Sequence, residues 1–451
     1  MIMILVRVPF YFYGITTTQL DLNHMLIGES LANGATLYVD LWEGIAPLSA
    51  WFYMIIHFLF GKSIWAYHII ALIICFLQCI IFNKITLENK VFTENNYLPS
   101  VVYGILISVS YEMFTLTPAL LSTTFILLAL SSIFSQVEFR LKKDEPILSI
   151  GVYIGISALF CMQSAIFLLA TIIVLGMFSS TVARRYLLII YGFCLPFIFV
   201  GLFYFMKDDL SLLLRAFYHK MFTPDRIQYL DLNSTLILLT LPMVFLLISI
   251  VRIIQRSRFS NYQVRLIQLV LMWMFVSFLV LIWSDITLTN FILFAPASAF
   301  LITHYFNLIK GRIKTEIIFS IMSIGIIVLN MSGCLGWFGM NKYINFGQLQ
   351  ISKTPYDEVV KGKRIAVLGE NMNIYKESSL ATPFLDWSLS EEVLRNPDYY
   401  DNVICIYQSF MSGEPEVIID LENVIPGIAK RIPFFDESYK KVKSNVYVLK
   451  Q

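Results

Sequence analysis

The sequence predicts a polytopic α-helical membrane protein that ends in a small α/β domain, and three observations predict it. The 451 residues are 57% hydrophobic and only 14% charged, whereas soluble domains carry about 25% charged residues. Apolar runs near 20 residues recur, the length needed to cross roughly 30 Å of hydrocarbon. Near Asn341 the pattern changes to short strand-like runs separated by polar turns. A net charge of +2 with no basic stripe outside the loops gives no footprint for nucleic acid. Of the six cysteines, Cys75, Cys79, Cys161 and Cys194 lie in apolar segments. No disulfide framework is implied, and Cys334–Cys405 is the one pair left open.

Apolar segments are expected at 1–17, 47–60, 65–83, 97–116, 118–135, 147–161, 162–178, 186–206, 234–251, 266–283, 288–306 and 315–333, which makes about 11–12 in all. The first carries Arg7 within its apolar run and lacks a small-residue cleavage site, so it does not read as a clean signal peptide. Basic clusters fall at Lys84/Lys90, Arg140/Lys142/Lys143, Arg184/Arg185, Arg252/Arg256/Arg258/Arg265 and Lys310/Arg312/Lys314. Placed on the cytoplasmic side, they make the crossings alternate from residue 65 onward and put the tail outside. Segment 47–60 is short for a crossing. It is read either as re-entrant or interfacial, or as a short span that leaves Lys84 and Lys90 outside. No repeat of 20–50 residues and no inverted similarity between halves is visible, which counts against a transporter. His57 and His68 read as helix-packing or interfacial residues.

The expected division is a membrane domain over 1–338, with a first outer loop at 18–48 and a second at 207–233, and a soluble domain over 339–451. In that tail KRIAVLG (363–369), NVICIYQ (402–408) and PEVIID (415–420) read as buried strands. Residues 422–431 and 389–395 read as short helices, and 438–450 as a closing hairpin. Gly369 after the first strand lacks the Gly-x-Gly-x-x-Gly pattern of a nucleotide site.

The first loop, from Leu20 to Tyr53, carries Asp21, Glu29, Asp40 and Glu43 but no Lys or Arg. Asp21, His24 and Gly28 share one helical face, so 19–33 reads as an amphipathic surface helix that Asn33-Gly34 ends. A carboxylate at a membrane surface suits one chemistry in particular. A lipid-phosphate sugar keeps its tail in the bilayer, its acceptor hydroxyl needs a general base, and its leaving phosphate needs cationic donors. Lys207, Arg215, Lys220 and Arg226 offer such cations on the same expected side. A plainer reading is also available. Acidic residues accumulate in outer loops because Lys and Arg are retained inside, and Asp208, Asp209, Asp225 and Asp231 neutralise the second loop.

HMLIGESLANGATLYVDLWEGIAPLSAWFYMIIHFLFGKSIWAYHII (24–70), preceded by Asp21, resembles the opening of GT-C membrane glycosyltransferases. Within them it is similar to the family 39 group of protein O-mannosyltransferases and lipid A aminoarabinose transferases. The resemblance is carried by Asp21 opening a surface helix, Gly34, Tyr38-x-Asp40, Pro47-Leu48 and Phe60-Gly61. PEVIID and IPFFDESYKKVKSNVYVLK resemble the end of the outer tail domain in such proteins. The whole chain also resembles a Bacteroidetes membrane branch of this fold.

The resemblance implies a GT-C-like body, a polyprenyl-phosphate sugar as donor substrate, an extracytoplasmic site and metal-independent inverting transfer without a cofactor. Asp21 takes the position of the base. His24, Tyr38, Asp40, Glu43, Tyr111 and Glu112 are expected in the sugar or acceptor pocket or behind it. Lys207, Arg215, Lys220 and Arg226 are expected at the donor phosphate. The expected partners are a lipid-linked sugar, membrane lipid and an envelope glycan or protein acceptor, in the bacterial inner membrane with the tail in the periplasm. Two departures stand out: Leu22 replaces the second carboxylate of the family's Asp-Glu pair, and Ala46-Pro47-Leu48 replaces Pro-Pro-Leu. They support the alternative of a non-catalytic GT-C-like scaffold that binds a lipid-linked glycan or an envelope partner protein.

Overall fold

The computed structural model describes residues 2–12, 17–92, 96–139, 144–178, 183–222, 230–255, 259–284 and 287–450. Its helices begin with α1 (Ile2–Phe12), α2 (Gln19–Ala32), α3 (Pro47–Phe60), α4 (Ile64–Glu88), α5 (Leu98–Leu106), α6 (Pro118–Phe139), α7 (Glu145–Phe160) and α8 (Phe167–Phe178). They continue with α9 (Ala183–Phe205), α10 (Leu210–Phe222), α11 (Leu232–Ile254), α12 (Asn261–Ser284), α13 (Leu288–Phe291), α14 (Ala295–Leu308) and α15 (Arg312–Leu335). The tail holds α16 (Asp357–Val360), α17 (Trp387–Arg395), α18 (Tyr400–Gly413), α19 (Ile425–Ala429) and α20 (Phe434–Ser438). Its strands are β1 (Arg364–Leu368), β2 (Ser379–Leu380), β3 (Val417–Asp420), β4 (Tyr439–Lys443) and β5 (Val446–Leu449).

Six helices among the described residues are long and apolar enough to cross a membrane: α4, α6 over Pro118–Val137, α9, α11, α12 over Asn261–Trp283, and α15. Three shorter apolar helices accompany them, at Pro47–Phe60, Glu145–Phe160 and Met162–Phe178. Two expected segments are interrupted. In 97–116 the helix stops at Leu106 and a one-turn 3-10 helix follows at Tyr111–Phe114. In 288–306, Pro296 sits in the first turn of α14, where its missing N–H is harmless, so the chain restarts there after α13.

The chain divides into two compact units. The first comprises Met1–Ile15, Ile64–Phe203 and Arg226–Leu349. The second comprises Thr16–Ser63, Tyr204–Asp225 and Gln350–Gln451.

The first unit is a helical body graded from centre to rim. In α6 67% of the apolar window is buried within the protein, against 22% in α9. The outward faces of α9, including Leu187, Phe199 and Leu202, are therefore suited to lipid. Some buried polar groups here are paired across helices. Gln78 donates to the Leu120 carbonyl at 2.7 Å and accepts from the Tyr103 hydroxyl at 2.9 Å. Close approach of α7 and α9 depends on small residues. A Cβ on Gly151 would lie 2.2 Å from the Ile189 carbonyl oxygen, and one on Gly155 2.5 Å from that of Phe193. Gly151→Leu is therefore expected to force these helices apart and destabilise the body by about 1–3 kcal/mol or more. Thermal unfolding in detergent checks this.

The second unit carries a five-stranded sheet of order β2-β1-β3-β5-β4, parallel across β2, β1 and β3 and antiparallel at β5 and β4. Its core gathers Leu368, Phe384, Leu394, Ile406, Phe410, Ile418 and Phe435. The expected strands at 363–369 and 415–420, the short helices and the closing hairpin are present. The expected strand at 402–408 is instead part of α18. Ile406, Phe410 and Gly413 share its buried face at helical spacing, and a short apolar run by itself does not separate strand from helix.

The first loop packs onto this sheet domain within the same unit. Trp42 donates its N–H to the Pro383 carbonyl at 2.8 Å and accepts from Asp386 N–H at 3.1 Å. Its ring meets Phe384 edge-on at 5.3 Å. Lys62 pairs with Glu29 at 2.6 Å and donates to the Ser378 carbonyl at 3.2 Å.

Candidate functional site

Asp21 sits in the first turn of α2, where the backbone leaves N–H groups unpaired. Thr18 caps that turn: its Oγ1 accepts from Asp21 N–H at 3.0 Å, and Asp21 Oδ2 accepts from Thr18 N–H at 3.1 Å and from Thr18 Oγ1 at 2.7 Å. This reciprocal arrangement is a capping box, built here with Asp in the usual Glu or Gln position. Asp21 is fully buried. Its carboxylate is thus fixed in direction, with Oδ2 committed to Thr18.

One turn on, His24 is buried and stacks on the Tyr53 ring of α3 with centroids 4.4 Å apart. Gly28 allows that contact, because a Cβ there would lie 2.6 Å from the Tyr53 carbonyl oxygen. Asp21, His24 and Gly28 thus occupy one buried side of α2 rather than a solvated one.

The chain after α2 makes a tight turn that buries Tyr38. Its φ of 69° lies in the left-handed region, a strained conformation for a bulky residue. The Tyr38 hydroxyl donates to the Ile45 carbonyl at 2.6 Å, which closes the turn. Its ring lies 6.0 Å from that of Tyr204 and 6.4 Å, edge-on, from Phe217. Burial, followed by Tyr204 and the Glu43 carboxylate, pushes the Tyr38 phenol well above its ordinary value. The phenol therefore remains a neutral donor.

Because the folded value is raised, the stability this group contributes is intact below about pH 10, the ordinary tyrosine value, and is lost as pH rises through the folded value. Tyr38→Phe is expected to lower stability near neutral pH by about 1–2 kcal/mol, since the buried Ile45 carbonyl loses its donor. It is also expected to remove this alkaline loss. Unfolding midpoints between pH 7 and about 11 check both.

Glu43 is buried beside this tyrosine. Asp40 is exposed and accepts from Thr36 N–H at 2.8 Å. Lys207 is exposed and donates to Thr36 Oγ1 at 3.0 Å, while the Tyr204 hydroxyl donates to the Leu37 carbonyl at 3.2 Å. The second unit therefore holds Asp21, His24, Tyr38, Asp40, Glu43, Lys207 and the exposed Arg215. The side chain of Lys220 and the whole of Arg226 lie outside the described residues.

Tyr111 and Glu112 belong to the first unit. Tyr111 stacks on Phe10 at 5.2 Å and meets Phe114 edge-on at 5.8 Å. Glu112 is buried, and its Oε1 has no hydrogen-bond partner among the described residues.

Sequence reasoning missed Thr18, Tyr53, Thr36 and Tyr204. Thr18 was legible, because a Thr three residues before an acid at a helix start is the capping-box spacing. The other three are brought in by contacts across the chain that leave no local signal.

No family model and no curated protein matches the sequence. Among solved structures, the chain is similar to ArnT from Cupriavidus metallidurans bound to undecaprenyl phosphate, with a TM-score of 0.53 and 11% identity over 94% of this chain and 92% of that one. The apo state of the same protein gives 0.53 and 12% over 96% and 93%. The apo oligosaccharyltransferase of Archaeoglobus fulgidus gives 0.52 and 12% over 93% of this chain and 68% of that one. With its apolar helices and its terminal five-stranded sheet, the chain is a multi-pass membrane protein of the GT-C fold.

Proposed function

We propose that this protein is a membrane glycosyltransferase that moves a sugar from a polyprenyl-phosphate donor to an envelope acceptor at the outer face of the bacterial inner membrane. The observation that carries the proposal is the shared fold, end to end, with a protein whose structure holds undecaprenyl phosphate. Asp21 is the general base in this reading. The capping box holds its carboxylate in one direction, and this carboxylate takes the acceptor proton. Inverting transfer then needs only the acceptor hydroxyl, the anomeric carbon and a leaving phosphate. The oxygen–carbon bond forms as the carbon–phosphate-oxygen bond breaks, the proton goes to Asp21 and the electron pair stays with the phosphate. In this reading the tail domain lies on the outer side, which follows if the basic clusters are cytoplasmic.

A second reading is favoured by one specific observation. Asp21 is sealed, its Oδ2 serves Thr18, and its neighbour Leu22 supplies no second acid. A non-catalytic scaffold that binds a lipid-linked glycan would have the same features.

The two readings separate on turnover. The full chain in liposomes is incubated with undecaprenyl-phosphate-linked sugars of several kinds and a cell-envelope extract as acceptor, and released undecaprenyl phosphate is counted by mass spectrometry. The transferase releases many equivalents per chain for at least one sugar. A scaffold releases none while retaining the lipid.

A further inference from the structure

Arg7 is the only buried Lys or Arg among the described residues. It lies in α1, fully enclosed by the first unit. One guanidinium nitrogen donates to the Phe114 carbonyl at 3.3 Å and another to Cys75 Sγ at 3.4 Å. The group also lies over the Phe114 ring, 4.7 Å from its centroid. Nε has no hydrogen-bond partner, and no carboxylate pairs with the guanidinium among the described residues. A guanidinium carries five N–H donors, so a carbonyl and a sulfur leave most of its capacity unused. Buried charges are ordinarily paired, and an ionisable group inside a membrane body marks a site with a partner to be named.

The same place holds other unmet polar groups. Residues 107–117 connect α5 to α6 and are entirely buried. Phe114 of this turn contacts Arg7, and Tyr111 and Phe114 pack on Phe10, one turn along α1 from Arg7. Ser108 Oγ and Glu112 Oε1 in this turn are buried with no hydrogen-bond partner. A cationic fork, a hydroxyl and a carboxyl are thus left unsatisfied around one connection, amid Val6, Phe10 and Phe114. A buried guanidinium with unused donors in these apolar surroundings asks for a ligand that is anionic at one end and otherwise apolar.

We infer that Arg7 is a binding residue for a phosphate group presented by a membrane lipid. The planar fork matches phosphate oxygens bidentately, and a lipid is the species that brings phosphate into an apolar helical body. This rests on the lipid-phosphate donor proposed above and adds, within the first unit, a phosphate-binding cation outside the expected set at Lys207, Arg215, Lys220 and Arg226.

The test is thermal unfolding of the full chain in detergent, titrated with undecaprenyl phosphate, phosphatidylglycerol or inorganic phosphate. Wild type, Arg7→Met, Arg7→Lys and Cys75→Ala are compared. Undecaprenyl phosphate is expected to raise the wild-type midpoint. Arg7→Met is expected to weaken that response roughly 10- to 100-fold in lipid concentration, and Arg7→Lys less. Without ligand, Arg7→Met is expected to unfold at or above the wild-type temperature, because removing an uncompensated buried charge does not destabilise.

A response to undecaprenyl phosphate alone identifies a polyprenyl source. An equal response to phosphatidylglycerol identifies lipid phosphate in general, and one to inorganic phosphate a free anion at the same fork. Arg7→Met responding like wild type overturns the assignment and leaves the donor reading standing. So does a ligand-free midpoint lowered equally in Arg7→Met and Cys75→Ala, which would make the pair structural. No wild-type response to any of the three overturns this inference and the donor reading together.

Discussion

Asp21→Asn is expected to keep the fold and abolish turnover. An amide oxygen still accepts from Thr18 N–H, so the turn that opens α2 remains capped. An amide takes no proton at neutral pH, so general-base assistance disappears, an effect of about 10²–10⁴-fold on the rate. Asp21→Ala is expected to lose the same factor and, in addition, about 1 kcal/mol of stability as the capping box opens. Release of undecaprenyl phosphate and unfolding midpoints, measured side by side for both variants, separate the two roles of one side chain. If both variants turn over at the wild-type rate, Asp21 is a cap and nothing more.

Gly28→Ala is expected to disrupt the first loop altogether. A single methyl at this position would sit 2.6 Å from the Tyr53 carbonyl oxygen and 3.3 Å from His57 Cβ. The obstacle is helix backbone, which yields only by shifting α3 as a whole, so the expected loss is about 3 kcal/mol or more. The His24–Tyr53 stack goes with it. Because α2 and α3 belong to the compact unit that contains the tail sheet, trypsin cleavage after Lys62 is expected to become rapid. An unchanged midpoint and cleavage rate would show that the two helices have room to part.

The membrane body was legible because apolar length is a nearly sufficient signal for a spanning helix. The bounds of the first-loop helix were legible to within a residue, expected at 19–33 and found at Gln19–Ala32, because a turn-forming Asn33-Gly34 follows it, but the expected surface setting was not, since most of the helix is buried. The breaks inside 97–116 and 288–306 were not, although Pro296 marks the second. An apolar run carries no record of where its helix pauses when the pause itself is buried. The 402–408 run failed for a related reason: five hydrophobic residues in seven fit a buried strand, and only the later Phe410 and Gly413 reveal helical spacing.

At the candidate site the residue types were legible, but their surroundings were not. Asp21 was expected at a surface and is buried, because Thr18 folds back over its carboxylate. Arg7 reads in the sequence as one charge in an apolar run, and its enclosure depends on Cys75 and Phe114, which are 68 and 107 residues away. Tyr38 gives no hint of its left-handed backbone, since a bulky side chain is the last that sequence rules would place there.

In the proposed reaction one carboxylate, Asp21, carries the proton transfer. The most direct measurement is the rate of undecaprenyl-phosphate release against pH, under conditions where substrate is far from saturating. The wild-type rate is expected to fall about tenfold per pH unit on the acid side, as a single base is protonated, and Asp21→Asn to be slow and flat across the same range. An acid limb that survives unchanged in Asp21→Asn, at a comparable rate, would place the base elsewhere.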